Sequence, residues 1–326
     1  MNFFSQSHVT RLTIHNLAYQ GIADASLLRR LGIGDDLFHP DGVEFYGKVN
    51  ILKAGIGFAD AITTVSDTYA LEITTAAQGR GLEGVLVAHA SKLTGIVNGV
   101  DYSVWNPATD PAIPCRFDAE DPSNKGRCKT ALLKELALDM APARPLAVFC
   151  GRLVEQKGID ILLDALPKLM CHDLSLALAG DGDNAIAERI ERACSDYPGR
   201  LAFVRAAAEP VVHRMLAAAD LIIVPSRFEP CGVVQQYGQR YGAIPVAHAT
   251  GGLIDTVVDC DAALEAGTGF LFDEPSPRGI PGGVQRALAA YASPRWHQLR
   301  RRVMRRDLGW DRSAHRYAQI YRSLMI

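Results

Sequence analysis

From Leu146 onward the chain repeats one pattern: a short apolar run, a polar or glycine-bearing turn, then a stretch with a single apolar stripe. Leu146–Cys150, Leu174–Ala179, Leu201–Val204, Leu221–Val224 and Ile244–Val246 are the apolar runs. Their length and turn-rich borders predict strands buried on both faces. Between the first two, Ile159–Met170 carries Ile159, Leu162, Leu163, Leu166 and Leu169 at the spacing of an amphipathic helix. Asn184 to Asp196, Val211–Ala218 and Gly232 to Tyr241 are predicted as the next helices. A repeated strand–helix–strand order predicts an α/β fold, a parallel sheet with helices on both faces. In such sheets ligands bind in the loops at the C-terminal ends of the strands. Here those loops carry Arg152, Lys157, Arg227, Glu229, Cys231, Thr250 and Gly251-Gly252.

The first part of the chain follows the same pattern less regularly. Val9–Ile14, Ala61–Val65 and Thr94–Val97 are predicted strands, ending in His15-Asn16, Ser66-Asp67 and Asn98-Gly99. Leu27–Leu31, Val49 to Phe58 and Thr68 to Thr74 are expected to be helical, the last capped by Ser66 or Asp67. Trp105 to Asn124, rich in Pro and Asp, reads as an interdomain linker, and Asn124 to Leu138 as a helix. Val284 to Ile326 is expected to be helical, broken at Ser293-Pro294 and near Gly309.

The 326 residues suffice for two domains. A net charge of -2 suggests neither nucleic acid nor a membrane surface as partner. The six arginines between Arg295 and Arg306 are expected on a solvated helix face, with polyanion binding as the alternative. Seven cysteines without CxxC spacing point to reduced thiols in a cytoplasmic setting, and against a zinc site or a disulfide framework. No apolar run approaches the roughly 18 residues of a transmembrane helix. The first residues lack the order of a signal peptide and lead almost at once into a predicted buried strand, so an opening segment is expected to be missing.

Arg152 and Lys157 follow a strand at the start of a helix, where unpaired N–H groups and the helix dipole favour an anion. They suit a phosphate or diphosphate, although surface charge is the simpler reading. Gly180-Asp181-Gly182-Asp183 is a tight strand-end turn that lets a ligand approach the backbone. Gly251-Gly252 could leave backbone N–H groups open to an anion, or be only a turn. His15 alone reads as a structural histidine, and Glu229 could be a helix-terminal carboxylate. A GxxxxGK[ST] loop, an HExxH run and a GxSxG elbow are all missing, so ATPase, zinc-hydrolase and serine-hydrolase chemistry have no support. Two α/β units with strand-end anion sites suggest a nucleotide-linked substrate.

The runs LTIHNLAYQG, FYGKVNILKAGIGFADAITTVSDTYALEI, GIVNGVDYSVWNPATD, GRLVEQKGIDILLDALP, ADLIIVPSRFEPCGVVQQYGQRYG and TGGLIDTV occur in family order. On them the chain resembles the bacterial and plastid-type glycogen (starch) synthases. The resemblance implies a GT-B glycosyltransferase, two Rossmann-like domains facing a cleft with the first one incomplete. The implied division is residues 1–140 for the acceptor-side domain and linker, 141–308 for the nucleotide-sugar domain, and 309–326 for a terminal helix crossing back. It implies retaining transfer of glucose from ADP-glucose to the non-reducing end of a (1→4)-α-D-glucan, with glycogen or another α-1,4-glucan as acceptor. No cofactor and no metal are implied, since ADP-glucose is a substrate. By the same resemblance Arg152 and Lys157 hold the donor diphosphate. Glu229 lies close to the transferred sugar, with Cys231 and Gly232 beside it. Thr250, Gly251 and Gly252 lie near the distal phosphate and sugar, and His15 and Asn98 contact the sugar.

Two departures qualify the resemblance. The family's KTGGL-type glycine loop is not in this sequence, which leaves room for a truncated product or a split enzyme whose missing segment comes from a separate chain. Ala206-Ala207-Ala208-Glu209-Pro210 stands where the family has a more polar, aromatic loop near the nucleotide, so the choice between ADP- and UDP-glucose is open. The alternatives are an inactive nucleotide- or glucan-binding remnant, or a related enzyme of sucrose or trehalose metabolism. The EPCG and TGGLIDTV wording opposes the latter.

Overall fold

The computed structural model describes residues 9–325. Residues 1–8, which the sequence leads straight into a predicted strand, and Ile326, at the end of the predicted terminal helix, lie outside the described residues. The chain divides into two compact units. One runs through Asn98 and takes up the chain again from Asp311; the other is Gly99–Trp310.

In the first unit, β1 (Arg11–Ile14), β5 (Ala61–Thr64) and β6 (Leu93–Gly95) form a parallel sheet in the order β1-β5-β6. Between β1 and β5, the short strands β2 (Ile22–Ala23), β3 (Glu44–Phe45) and β4 (Lys48–Asn50) pair antiparallel. These two- and three-residue strands carry too little alternation to be read from sequence. Asn50 caps the helix Ile51–Phe58 through Lys53 N–H, which shortens the helix expected from Val49. Ser66 caps the helix Asp67–Glu72 by accepting from Tyr69 N–H. Asp67 instead takes both guanidinium nitrogens of Arg316, in the terminal helix Trp310–Ser323.

The second unit is built on six parallel strands: β7 (Leu146–Cys150), β8 (Ser175–Gly180), β9 (Leu201–Arg205), β10 (Leu221–Val224), β11 (Ile244–His248) and β12 (Phe270–Phe272). Their order is β12-β11-β10-β7-β8-β9. Read from β9, this is the 3-2-1-4-5-6 order of a doubly wound Rossmann sheet, whose direction of winding reverses between β7 and β10. Alternation sorts each strand between two cores. Ala147 and Phe149 join Leu176, Leu178, Leu221 and Ile223 on one face, under the helices Ile159–Leu169 and Gly279–Tyr291. Leu146, Val148 and Cys150 join Ala177, Ile222 and Val224 on the other, under Lys125–Glu135 and Glu209–Ala218.

The segment read as a linker belongs to this second unit. Trp105, Ile113 and Phe117 are buried in the same core as Leu132 and Val148, which is why residues 99–140 cluster with the Rossmann sheet. The arginine run is solvated only in part: Arg295, Arg301 and Arg305 are exposed as expected, Arg302 and Arg306 are half-buried, and Arg300 is buried. Arg300 pairs with Asp220, Arg305 with Glu120 and Arg295 with Glu265. Arg301, Arg302 and Arg306 donate to the carbonyls of Ala119, Gly267 and Thr256. Each cation therefore holds a loop or a strand start of its own unit.

The centre of this network is Asp220, immediately before β10. One oxygen accepts from Lys129 Nζ at 2.6 Å and from Leu146 N–H at 3.0 Å; the other accepts from Arg300 at 2.7 Å. The Lys129, Asp220 and Arg300 side chains are 5%, 6% and 10% exposed. Replacing one member of such a group strands the others in low dielectric, at a cost of about 3–5 kcal/mol. Asp220→Ala is expected to lower unfolding free energy by that amount in urea denaturation. A loss under about 1 kcal/mol would mean that the network is solvated rather than buried.

Candidate active site

The loops at the winding reversal are those after β7 and β10. After β7 the chain runs through Gly151-Arg152 into a single 3-10 turn, Glu155–Lys157, and then the helix Ile159–Leu169. Gly158 joins them at φ 67, and a Cβ there would lie 2.0 Å from Pro225 O in the loop after β10. Only glycine allows the two loops to approach this closely. The approach brings Lys157 Nζ to Glu229 Oε2 at 2.5 Å. Glu229 is 5% exposed, and its Oε2 also accepts from the Ser226 hydroxyl at 2.9 Å. Arg227, two residues before it, donates to both oxygens of Asp160 at 2.8 and 2.6 Å, fastening the loop to the helix start. These hydrogen bonds hold the Asp160 carboxyl below its ordinary range.

Glu229 is not a helix cap. The following helix is Val234–Arg240, which begins later than the expected Gly232. Gln235 Nε2 fills the gap by donating to Cys231 O and Gly232 O. The loop after β11 is tied to the same turn: Gly252 N–H donates to Glu229 O at 2.9 Å, and His248 Nδ1 meets Ser226 O at 2.7 Å. Gly251 sits at φ 46, and Gly252 opens a short helix, Gly252–Thr256, that the sequence reading left as a turn. A Cβ on Gly252 would lie 2.2 Å from Cys231 O, so the second glycine is required by packing.

Lys157, Glu229, Cys231, Gly232, Thr250, Gly251 and Gly252 thus converge on adjoining strand ends. Arg152 is exposed on the loop after β7 and lines a cavity of about 390 Å³ with Gly151, Gly180 and Asp181. Its opposite wall includes Trp105 and Tyr237, stacked at 4.0 Å and 4°. Trp105 also stacks on His213 at 3.9 Å, and His213 Nδ1 meets Asp110 at 2.7 Å. Sequence reasoning missed this wall because Trp105 and Asp110 sit in the Pro-rich stretch taken for a linker. Ser226 was also missed, although a serine three residues before a buried carboxylate is a usable signal. Asp183 in the glycine turn is a cap, accepting from Ala185 and Ile186 N–H. Cys150, next to Gly151, is a buried thiol whose pKa is pushed up to about 12, which leaves it protonated and poorly nucleophilic at neutral pH. His15 and Asn98 belong to the first unit, exposed after β1 and half-buried after β6, at the C-terminal end of that sheet but on its two opposite edge strands.

Comparison with known proteins decides the family. Residues 2–88 match the starch synthase catalytic domain and residues 144–289 the glycosyl transferases group 1. Glycogen synthase of Yersinia pseudotuberculosis is 42% identical over 320 residues, which is 96% of this chain and 67% of the relative. The chain belongs to the glycogen and starch synthase family. Glycogen synthase of Anaeromyxobacter sp. (strain Fw109-5) is 47% identical over 316 residues, 97% of this chain and 66% of the relative. The chain therefore spans about two thirds of the length of the synthases it matches. Among solved structures, the catalytic domain of starch synthase IV from Arabidopsis thaliana, bound to ADP and acarbose, superposes with a TM-score of 0.92. It is 36% identical, over 97% of this chain and 67% of that one. The GT-B fold class follows from this similarity. Sucrose-phosphate synthase from Thermosynechococcus elongatus, at 23% identity and a TM-score of 0.60, shares the fold alone.

Because Gly252 touches Cys231 backbone and donates to Glu229 O, Gly252→Ala is expected to cost about 2–3 kcal/mol and to detach the two loops. Urea denaturation measures the first effect, and amide exchange at Gly252 the second. A variant as stable as the parent would show that this turn is looser than described.

Proposed function

We propose that the chain acts as a glycogen synthase, transferring glucose with retention from ADP-glucose to the non-reducing end of a (1→4)-α-D-glucan. The supporting observation is the half-buried Lys157 paired with the buried Glu229 at the winding reversal, in a chain similar over 97% of its length to a starch synthase bound to ADP and acarbose. As the glucosyl–phosphate bond breaks, negative charge grows on the departing diphosphate. Arg152, Lys157 and the positive end of the helix Ile159–Leu169 stabilise that charge. The sugar carbon becomes cationic, and Glu229 supplies a nearby carboxylate held in place by Lys157 and Ser226. The acceptor hydroxyl attacks from the face the phosphate leaves, and a phosphate oxygen takes its proton. Thr250, Gly251 and Gly252 take the distal phosphate and sugar, with Cys231 and Gly232 shaping the turn beneath them. His15 and Asn98 contact the sugar from the first unit. Among the described residues no helix is long and apolar enough to cross a membrane. We place the protein in the cytoplasm, which suits its seven cysteines, none of them in a disulfide.

The test is transfer from labelled ADP-glucose to a glycogen primer by the purified chain. Glu229→Ala is expected to reduce transfer by at least about a hundredfold while leaving ADP binding. Lys157→Ala is expected to weaken ADP binding about tenfold or more. Bound ADP without transfer in the parent chain would favour a nucleotide-binding role over catalysis. Transfer unaffected by Glu229→Ala would remove the carboxylate from the mechanism.

A further inference from the structure

At the opposite end of the same sheet, beside the starts of β7 and β10, lies a cavity of about 500 Å³. It is lined by Lys125, Lys129, Asp220, Trp296, His297 and Arg300, among others. Strands of this length rise about 3.3 Å per residue, which puts the cavity about 13 Å from the loops that carry Arg152 and Glu229. Nothing in the proposed transfer uses it.

Its charges do not balance. Asp220 is the one carboxylate on its walls, and both of its oxygens are already engaged, by Lys129 with Leu146 N–H and by Arg300. Lys125 adds a further basic group, whose Nζ donates to the carbonyls of Leu216, Ala217 and Tyr241 at 3.1, 3.0 and 2.7 Å and lies 5.5 Å from the Phe117 ring centre, with no carboxylate of its own. Three basic side chains therefore surround one acid. Excess positive charge in a recess is costly unless an anion meets it. A recess with apolar walls also focuses the field and concentrates anions. Burial and the neighbouring Arg300 hold the Lys125 ammonium well below its ordinary range, a penalty that an added negative charge would relieve.

We propose that this cavity binds a small phosphate-bearing anion, held by the charge of Lys125, Lys129 and Arg300. Trp296, Tyr291 and Pro142 on its walls offer apolar contact to an organic group on that phosphate. The site is separate from the nucleotide loops, and Asp220 links it covalently to β10, the strand that ends in the Ser226–Glu229 turn.

Gly126 supplies a test that leaves the fold alone. It lies exposed on the cavity wall, in the first turn of Lys125–Glu135, and a Cβ there would meet nothing within 4 Å. A carboxylate in a first helical turn is favourable, so Gly126→Glu places negative charge at the cavity without damage. The full chain is titrated calorimetrically with inorganic phosphate and with phenyl phosphate. Gly126→Glu is expected to weaken binding about tenfold or more, while Gly126→Gln and the melting temperature stay close to the parent. Tighter binding of phenyl phosphate would identify an organic phosphate ester as the ligand class, and equal binding the free phosphate. Two results would overturn the proposal: no phosphate binding by the parent chain, or binding that Gly126→Glu leaves unchanged, which would assign the phosphate to Arg152 and Lys157 instead.

Discussion

The buried carboxylate of Asp220 sets the frame on which the second unit is built. It sits between the starts of β7 and β10, and it accepts from the backbone of one while preceding the other. Through Lys129 and Arg300 it also fixes the helices Lys125–Glu135 and Trp296–Met304 at the same end. Neither β7 nor β10 can slide along the other without breaking a desolvated ion pair. Their far ends are consequently held in register, and it is there that a loop from each must meet for Lys157 to reach Glu229. The polar network at one end of the sheet and the pairing at the other are two results of one alignment.

The site itself depends on backbone proximity more than on side chains. Gly158 against Pro225 and Gly252 against Cys231 bring three strand-end loops into contact. The Gly252 N–H and His248 bonds then lock the third loop to the second. This explains why the turn after β11 is a helix start rather than an irregular bend, and why its glycines are adjacent. Lys157 and Glu229 meet across loops whose backbones are already joined by the Arg227 N–H bond to Gln156 O.

Much of this was legible in the sequence. The apolar runs at Leu146–Cys150 and Leu221–Val224 are the observed strands, and Ile159–Met170 is the observed helix to within a residue. Their periodicity was long and unambiguous, and Arg152 and Glu229 lie on the strand-end loops expected from that periodicity. Three features were hidden for physical reasons. Trp105 and Phe117 pack into the second core from a stretch whose prolines advertise a surface linker. Within the arginine run, Arg300, Arg302 and Arg306 turn inward to carboxylate and carbonyl partners that lie far away in sequence, so the charge pattern alone does not set them apart from their exposed neighbours. The antiparallel ribbon of β2, β3 and β4 has strands too short to show any period.

The sorting of each strand between two cores carries a consequence for how such a protein can change over generations. In β7, Ala147 and Phe149 face one layer of helices while Leu146, Val148 and Cys150 face the other. Inserting or deleting one residue within a central strand would exchange the two sets and present every side chain beyond that point to the wrong layer. Variation in chain length is therefore excluded from the strands and confined to the connections. The segment Ala206–Ala208, between β9 and its following helix, is such a connection, and Ala207 lies on the wall of the cavity beside Arg152. A change of length or composition there would reshape that cavity wall while the alignment that positions Lys157 and Glu229 stays untouched.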